Sequence, residues 1–195
     1  MEWSLHIRDH SKALIKNLST RLHALAKVCT IADFNTRKPI ANGVFMSSLI
    51  SLIQLWSGTS ENLLNSLQVV QNCAARLVTK LPLTTSSETI LRQVGWLSVR
   101  QLSAFHCLTM VFKIKRSGMP LYFARIFGRA FPRETRYGSQ NAINIQSRVA
   151  SNLSRHNFTY RAAVLWNSLP GELRMMDSFS TFKEKTKDWV RANVR

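Results

Sequence analysis

The chain has 195 residues, 45% of them hydrophobic, with 7 Gly and 5 Pro. That composition excludes a low-complexity linker, and the length suffices to bury about 70% of the unfolded surface. Its 27 Lys and Arg against 10 Asp and Glu leave a net charge of +17, which predicts affinity for a polyanion and says nothing about fold.

Leu14, Leu18, Leu22 and Leu25 form a helical stripe with Lys12, Lys16 and Arg21 off it, and predict a first helix over about Leu5 to Val28. The break falls in "DFNTRKP", and a second helix is expected from Pro39 to Trp56, closed by Gly58. It contains "VFMSSLISLIQLW", the longest apolar stretch, which is too short to span a bilayer and carries several hydroxyls. No membrane association is therefore expected. The N-terminus lacks a secretory pattern, and Glu2 and Asp9 speak against a mitochondrial presequence. Residues 41–80 carry only Glu61, Arg76 and Lys80 as charges, and they read as core.

Thr59 or Ser60 is placed to cap a third helix, with Glu61 in its first turn and Leu63, Leu67, Val70, Ala74 and Leu77 on its apolar face. It should stop before Pro82. A short helix follows "TTSSE" and ends at Gly95. Ser98 then caps a fifth helix that runs to Arg116 on a stripe of Leu102, Phe105, Leu108 and Phe112. Its last turn holds Lys113, Lys115 and Arg116, where the helix dipole favours cations. Periodicity fades from Met119 to Asn157: "PLYFARIFGR" reads as one short helix and "NAINIQ" as an extended piece. Helix resumes near Phe158. In "AAVLWNSLPGELR", Asn167 and Ser168 are turn formers and Pro170 suits the first position of a new helical turn. This predicts a helix–turn–helix corner with Trp166 buried as its wedge rather than offered for base stacking. The final helix is expected from Ser180 or Thr181, with Thr181 and Glu184 at capping-box spacing.

The fold class is thus mainly α. A helical region occupies 1–117, an irregular Arg- and aromatic-rich connector 118–157, and a helical segment with a corner 158–195.

Little in the sequence supports catalysis or a cofactor. Two-metal chemistry needs clustered carboxylates, and no Asp-Asp pair occurs. Glu184 and Asp188 share a helix face but interleave with Lys183, Lys185 and Lys187, as a solvated surface does. His6 and His10 stand at helical spacing with no third ligand nearby. His106 and Cys107 are adjacent on a helix and cannot face each other. No phosphate-binding Gly-Lys-Ser/Thr loop is present. Cys29, Cys73 and Cys107 lie far apart, match no zinc spacing and, being odd in number, no disulfide framework. A reducing intracellular setting, nucleus or cytoplasm, is expected.

Binding is better supported. From Leu121 to Arg161 the chain has seven arginines and no lysine: Arg125, Arg129, Arg133, Arg136, Arg148, Arg155 and Arg161, with Glu134 the one acid. Guanidinium forks grip phosphate and stack on rings. Tyr122, Phe123, Phe127, Phe131, Tyr137, Phe158 and Tyr160 interleave with them. Arginines among aromatic platforms are the chemistry of RNA and single-strand binding, and these seven arginines are the candidate nucleic-acid-binding set.

Read in order, "SLQVVQNCAARLVTKL", "GWLSVRQL", "MPLYFARIF", "FTYRAAVLWNSLPGELR" and "SFSTFKEKTKDWV" make the chain resemble the C-terminal region of reverse transcriptases from jockey-like non-long-terminal-repeat retrotransposons. The opening "EWSLHIRDHSKALIKNLSTRLHALAKV" is similar to the start of that region. The resemblance implies a helical tail that follows a catalytic palm, gripping template RNA or target DNA, with the palm as a further partner where it is present. The palm's metal-binding aspartates have no counterpart here, so polymerase activity does not carry over. The Cys/His zinc knuckle of some family members is missing too. The rival readings are a helical protein-interaction module and a non-functional relic of such an element.

Overall fold

The structure, a computed structural model, describes residues 2–51, 53, 61–127, 141–143 and 158–194. Among these residues the regular structure is helical and no strand occurs, so the chain is mainly α. It divides into two compact units, residues 1–102 and 103–195. The division falls inside one helix, Val99–Ser117.

In the first unit, helix α1 (Glu2–Ile31) buries Leu18, Leu25 and Cys29 and lies along α4 (Glu61–Thr79). Between them the chain forms α2 (Phe34–Ala41), a π turn over Asn42–Met46, and α3 (Ser47–Ile50). The expected second helix therefore starts earlier and ends sooner than predicted. Asp33 caps it, accepting a bond from the Thr36 backbone N–H at 3.1 Å. Pro39 sits inside the helix but on its exposed side, next to water that can satisfy the carbonyl its missing N–H leaves open. Ser51 leaves the helical region with φ −57° and ψ 129°. Trp56, Gly58, Thr59 and Ser60 lie outside the described residues.

Helix α5 (Ser87–Val94) begins and ends as its sequence directs. Ser86 accepts from the Thr89 N–H. Gly95 adopts φ +79°, donating to Arg92 O at 3.0 Å while Trp96 N–H reaches Leu91 O at 2.9 Å. These are the paired bonds of a Schellman stop, which needs a residue tolerant of left-handed backbone. Ser98 and Gln101 then cap α6 (Val99–Ser117) reciprocally, each side chain bonded to the other's backbone N–H at 3.3 and 3.0 Å.

A row of amides on α4 holds this capping loop. Gln71, fully buried, donates to Leu97 O at 2.9 Å. Gln68 accepts from the Val99 N–H at 2.8 Å and donates to Gln71 Oε1 at 2.9 Å. Loop backbone can be buried here because each of these polar groups finds a partner. The glutamines of "SLQVVQN" thus bind the backbone of "GWLSV". On the exposed edge, the Arg100 guanidinium pairs with both Glu61 carboxylate oxygens.

The second unit is built from the rest of α6 with α7 (Leu121–Phe127), α8 (Phe158–Ser168), α9 (Gly171–Arg174) and α10 (Phe179–Asn193). α10 starts at Phe179, just before the expected Ser180 or Thr181. Its N-cap is Ser178, whose hydroxyl accepts from the Thr181 N–H at 3.5 Å, and Thr181 lies in the first turn. Phe112 of α6 stacks on Phe182 of α10, ring centroids 4.2 Å apart.

Trp166 is 1% exposed and wedges the corner as read from sequence. Its ring meets Phe182 at 5.9 Å, and its indole N–H donates to Asn141 O at 2.8 Å. Asn167 is not a turn residue, because α8 runs on to Ser168. Its amide instead makes two bonds to the Ile143 backbone, at 2.8 and 2.9 Å. Only Asn141–Ile143 of "NAINIQ" fall among the described residues, and they form no strand.

The cysteines divide by burial. Cys73 is exposed, whereas Cys29 and Cys107 are buried. Burial pushes the Cys107 thiol up to about 12, against a smaller lowering influence from Arg161. An unfolded thiol ionises near 9 while the folded one stays neutral, so this contribution to stability is complete below pH 9 and is lost as pH rises through about 12. At pH 8 the native chain should show one fast-reacting thiol, Cys73, and all three after denaturation. Rapid labelling of Cys107 in the folded chain would contradict the buried placement.

Candidate nucleic-acid interface

The seven candidate arginines separate into three groups. Arg125 stands exposed on α7. Arg161 is half-buried on α8, where burial holds its guanidinium below the ordinary range against an opposing influence from Cys107. Arg129, Arg133, Arg136, Arg148 and Arg155 lie outside the described residues.

The interleaved aromatics divide as well. Phe123, Phe127 and Phe158 form a cluster, with Phe123 to Phe127 at 6.0 Å, Phe123 to Phe158 at 5.5 Å and Phe127 to Phe158 at 6.3 Å. Phe127 is 1% exposed. These rings anchor α7 to α8, with Phe123 and Phe158 half-buried and Phe127 closed to a base. Tyr160 is half-buried, and Phe131 and Tyr137 lie outside the described residues. Tyr122 is different: it is 69% exposed and three positions before Arg125, on the same helix flank. α7 therefore turns phenylalanines inward and presents a phenol and a guanidinium to solvent.

α7 is also held from behind. Lys115 of α6 donates to Phe127 O, the last carbonyl of α7, at 3.2 Å, and sits 5.8 Å from the centroid of the Trp166 ring. Burial, with a smaller influence from Arg174, lowers the pKa of this ammonium. Arg116 pairs with Asp177. The last turn of α6 holds Lys115 and Arg116 but not Lys113, because the helix runs on to Ser117, and these two cations hold the unit together.

From sequence, Lys113 is expected as a last-turn charge and Lys183 as part of a solvated face. Each directly follows a phenylalanine of the stacked Phe112–Phe182 pair, and both influence His106. A basic residue next to a core aromatic on each of two helices is a signal visible in sequence once the helices are known to be neighbours.

Among the described residues no group of three or more His, Cys, Asp or Glu could hold a metal ion, and no helix is long and apolar enough to cross a membrane. Asp188 pairs with Arg191 at 3.7 Å, and the side chains of His6 and His10 lie outside the described residues. No family model matches the chain, and no similar curated protein or solved structure was found.

Proposed function

We propose that this chain is a non-catalytic tail segment of the kind that follows the palm in jockey-like retrotransposon reverse transcriptases, and that it binds RNA or DNA in support of reverse transcription. The observation that carries the binding is the exposure of both Tyr122 and Arg125 on α7, at the head of a connector with six arginines and no lysine. A phenol offers a stacking face and a guanidinium a phosphate fork, while the phenylalanines behind them fix the helix that displays both. The +17 charge supplies the long-range attraction.

The test is a titration of single-stranded RNA at several salt concentrations. Substituting Arg125, Arg129, Arg133 and Arg136 together by alanine should weaken binding and reduce the slope of log affinity against log salt by up to about 3, at roughly 0.7 per lost phosphate contact. An unchanged slope removes the connector as the site. The resemblance has its own check: genomic sequence upstream of the Met1 codon should contain an in-frame palm with paired aspartates.

A further inference from the structure

Where α6 and α10 meet, the chain brings two exposed lysines without a carboxylate partner to one surface. Phe112 and Phe182 stack at the centre of this seam. The residue after each is exposed: Lys113 on α6 and Lys183 on α10. Lys113 Nζ lies 4.7 Å from the centroid of the Phe179 ring, and Phe179 is one helical turn before Lys183 on the same flank. The half-buried His106 lies close enough to feel both ammonium groups.

None of this unit's described acids forms an ion pair with either lysine. Asp177 is engaged by Arg116 and Asp188 by Arg191. Glu184 follows Lys183 by one residue and so stands about 100° further round the helix. Neither Lys113 nor Lys183 has a carboxylate within ion-pair distance among the described residues. Two like charges held near each other, with no acid between them, repel, and an anion placed between them relieves that repulsion. The stacked rings beneath make the seam a fixed surface rather than a pair of wandering side chains.

We propose that the α6–α10 seam, through Lys113 and Lys183, is a second contact with the nucleic-acid backbone, separate from the arginine connector. This inference rests on the nucleic-acid reading above. The partner is a phosphodiester chain. Lysines grip phosphate as point charges without base preference, and the exposed edge of Phe179 gives the seam little apolar area for a protein or lipid partner. The imidazole of His106 reports on occupancy. Burial first, then Lys183 and Lys113, hold its pKa below the ordinary histidine range, and a phosphate neutralising the two lysines removes part of that depression.

The experiment uses the full chain and a single-stranded RNA oligonucleotide, with polyglutamate as a second polyanion. Lys113→Gln/Lys183→Gln should reduce the salt slope of RNA binding by about 1.4, for two phosphate contacts at roughly 0.7 each, and leave the thermal melt near that of the parent. In the unsubstituted chain, NMR titration should show the His106 pKa rising on RNA addition. If the parent binds RNA but the double variant keeps the full slope and His106 does not shift, the seam is not a contact and the connector reading survives. If the parent binds no RNA, both readings fall. If polyglutamate shifts His106 as RNA does at equal charge, the seam is an acidic-protein surface and the proposal is wrong.

Discussion

Replacing Trp166 with alanine is expected to destabilise the 103–195 unit by about 3–5 kcal/mol, the range for losing a large ring from a filled core. The indole is 1% exposed and lies against Phe182 at 5.9 Å. Removing it leaves a cavity at the point where α8 turns into α9. It also orphans Asn141 O, which accepts the indole N–H at 2.8 Å. Asn141 holds its backbone at φ +57° and donates its own side-chain amide to Arg174 O at 2.6 Å, so the loss spreads from α8 to the end of α9. Trp166→Phe separates the two effects. It keeps most of the ring but loses the donor, and should cost about 1–3 kcal/mol. Denaturant unfolding followed by circular dichroism, with hydrogen exchange on the amides of α8, measures both. If Trp166→Ala unfolds like the parent yet loses RNA affinity, the ring is a stacking platform and not a wedge.

In the 1–102 unit, Phe45→Ala should cost a similar amount, about 3–5 kcal/mol. Phe45 is fully buried, and its ring lies near-parallel to that of Trp96, centroids 6.4 Å apart and planes 18° from each other. The Trp96 indole N–H in turn donates to Asn42 Oδ1 at 2.8 Å. The π turn is what places Asn42 and Phe45 together on this side, with the Ser47 N–H bonded five residues back to Asn42 O. Buried residues in this run recur every four positions, at Ala41, Phe45 and Leu49. A spacing of four overshoots an α-helical turn by about 40° per step, and one wider turn takes up that excess. Asn42→Ala tests the same arrangement from the polar side. It leaves the Trp96 N–H without its partner and should cost about 1–3 kcal/mol. Thermal melts of both variants check the prediction; a Phe45→Ala variant within about 0.5 kcal/mol of the parent would place this ring outside the core.

The candidate site was legible in part. Arg125 and Tyr122 sit in a stretch whose composition already pointed to nucleic acid, and both are exposed. The same composition could not separate Tyr122 from Phe123, Phe127 and Phe158. α7 spans only Leu121–Phe127, about two turns, in which nearly every position is aromatic, apolar or basic. No periodicity can mark the inner face of so short a helix, and contact with α8 decides it. The seam at Lys113 and Lys183 was hidden for a different reason: the two residues are far apart in sequence, and only the stacking of Phe112 on Phe182 brings their neighbours to one surface.

By itself, the sequence determined the helical class and most of the boundaries. Local chemistry acts within a few residues: Gly95 stops α5 because it tolerates left-handed backbone, Ser86 and Ser98 open helices by accepting N–H groups, and the stripe Leu102, Phe105, Leu108 and Phe112 is buried throughout. Tertiary structure decided what depends on partners distant along the chain. Gln71 looks like a surface residue in "VVQNC", yet it is buried because Leu97 O needs a donor. Asn167 looks like a turn former, yet it stays helical because Ile143 offers it both a donor and an acceptor. A polar side chain's place is set by which backbone group must be satisfied where the chain folds back, and that group is named only by the fold.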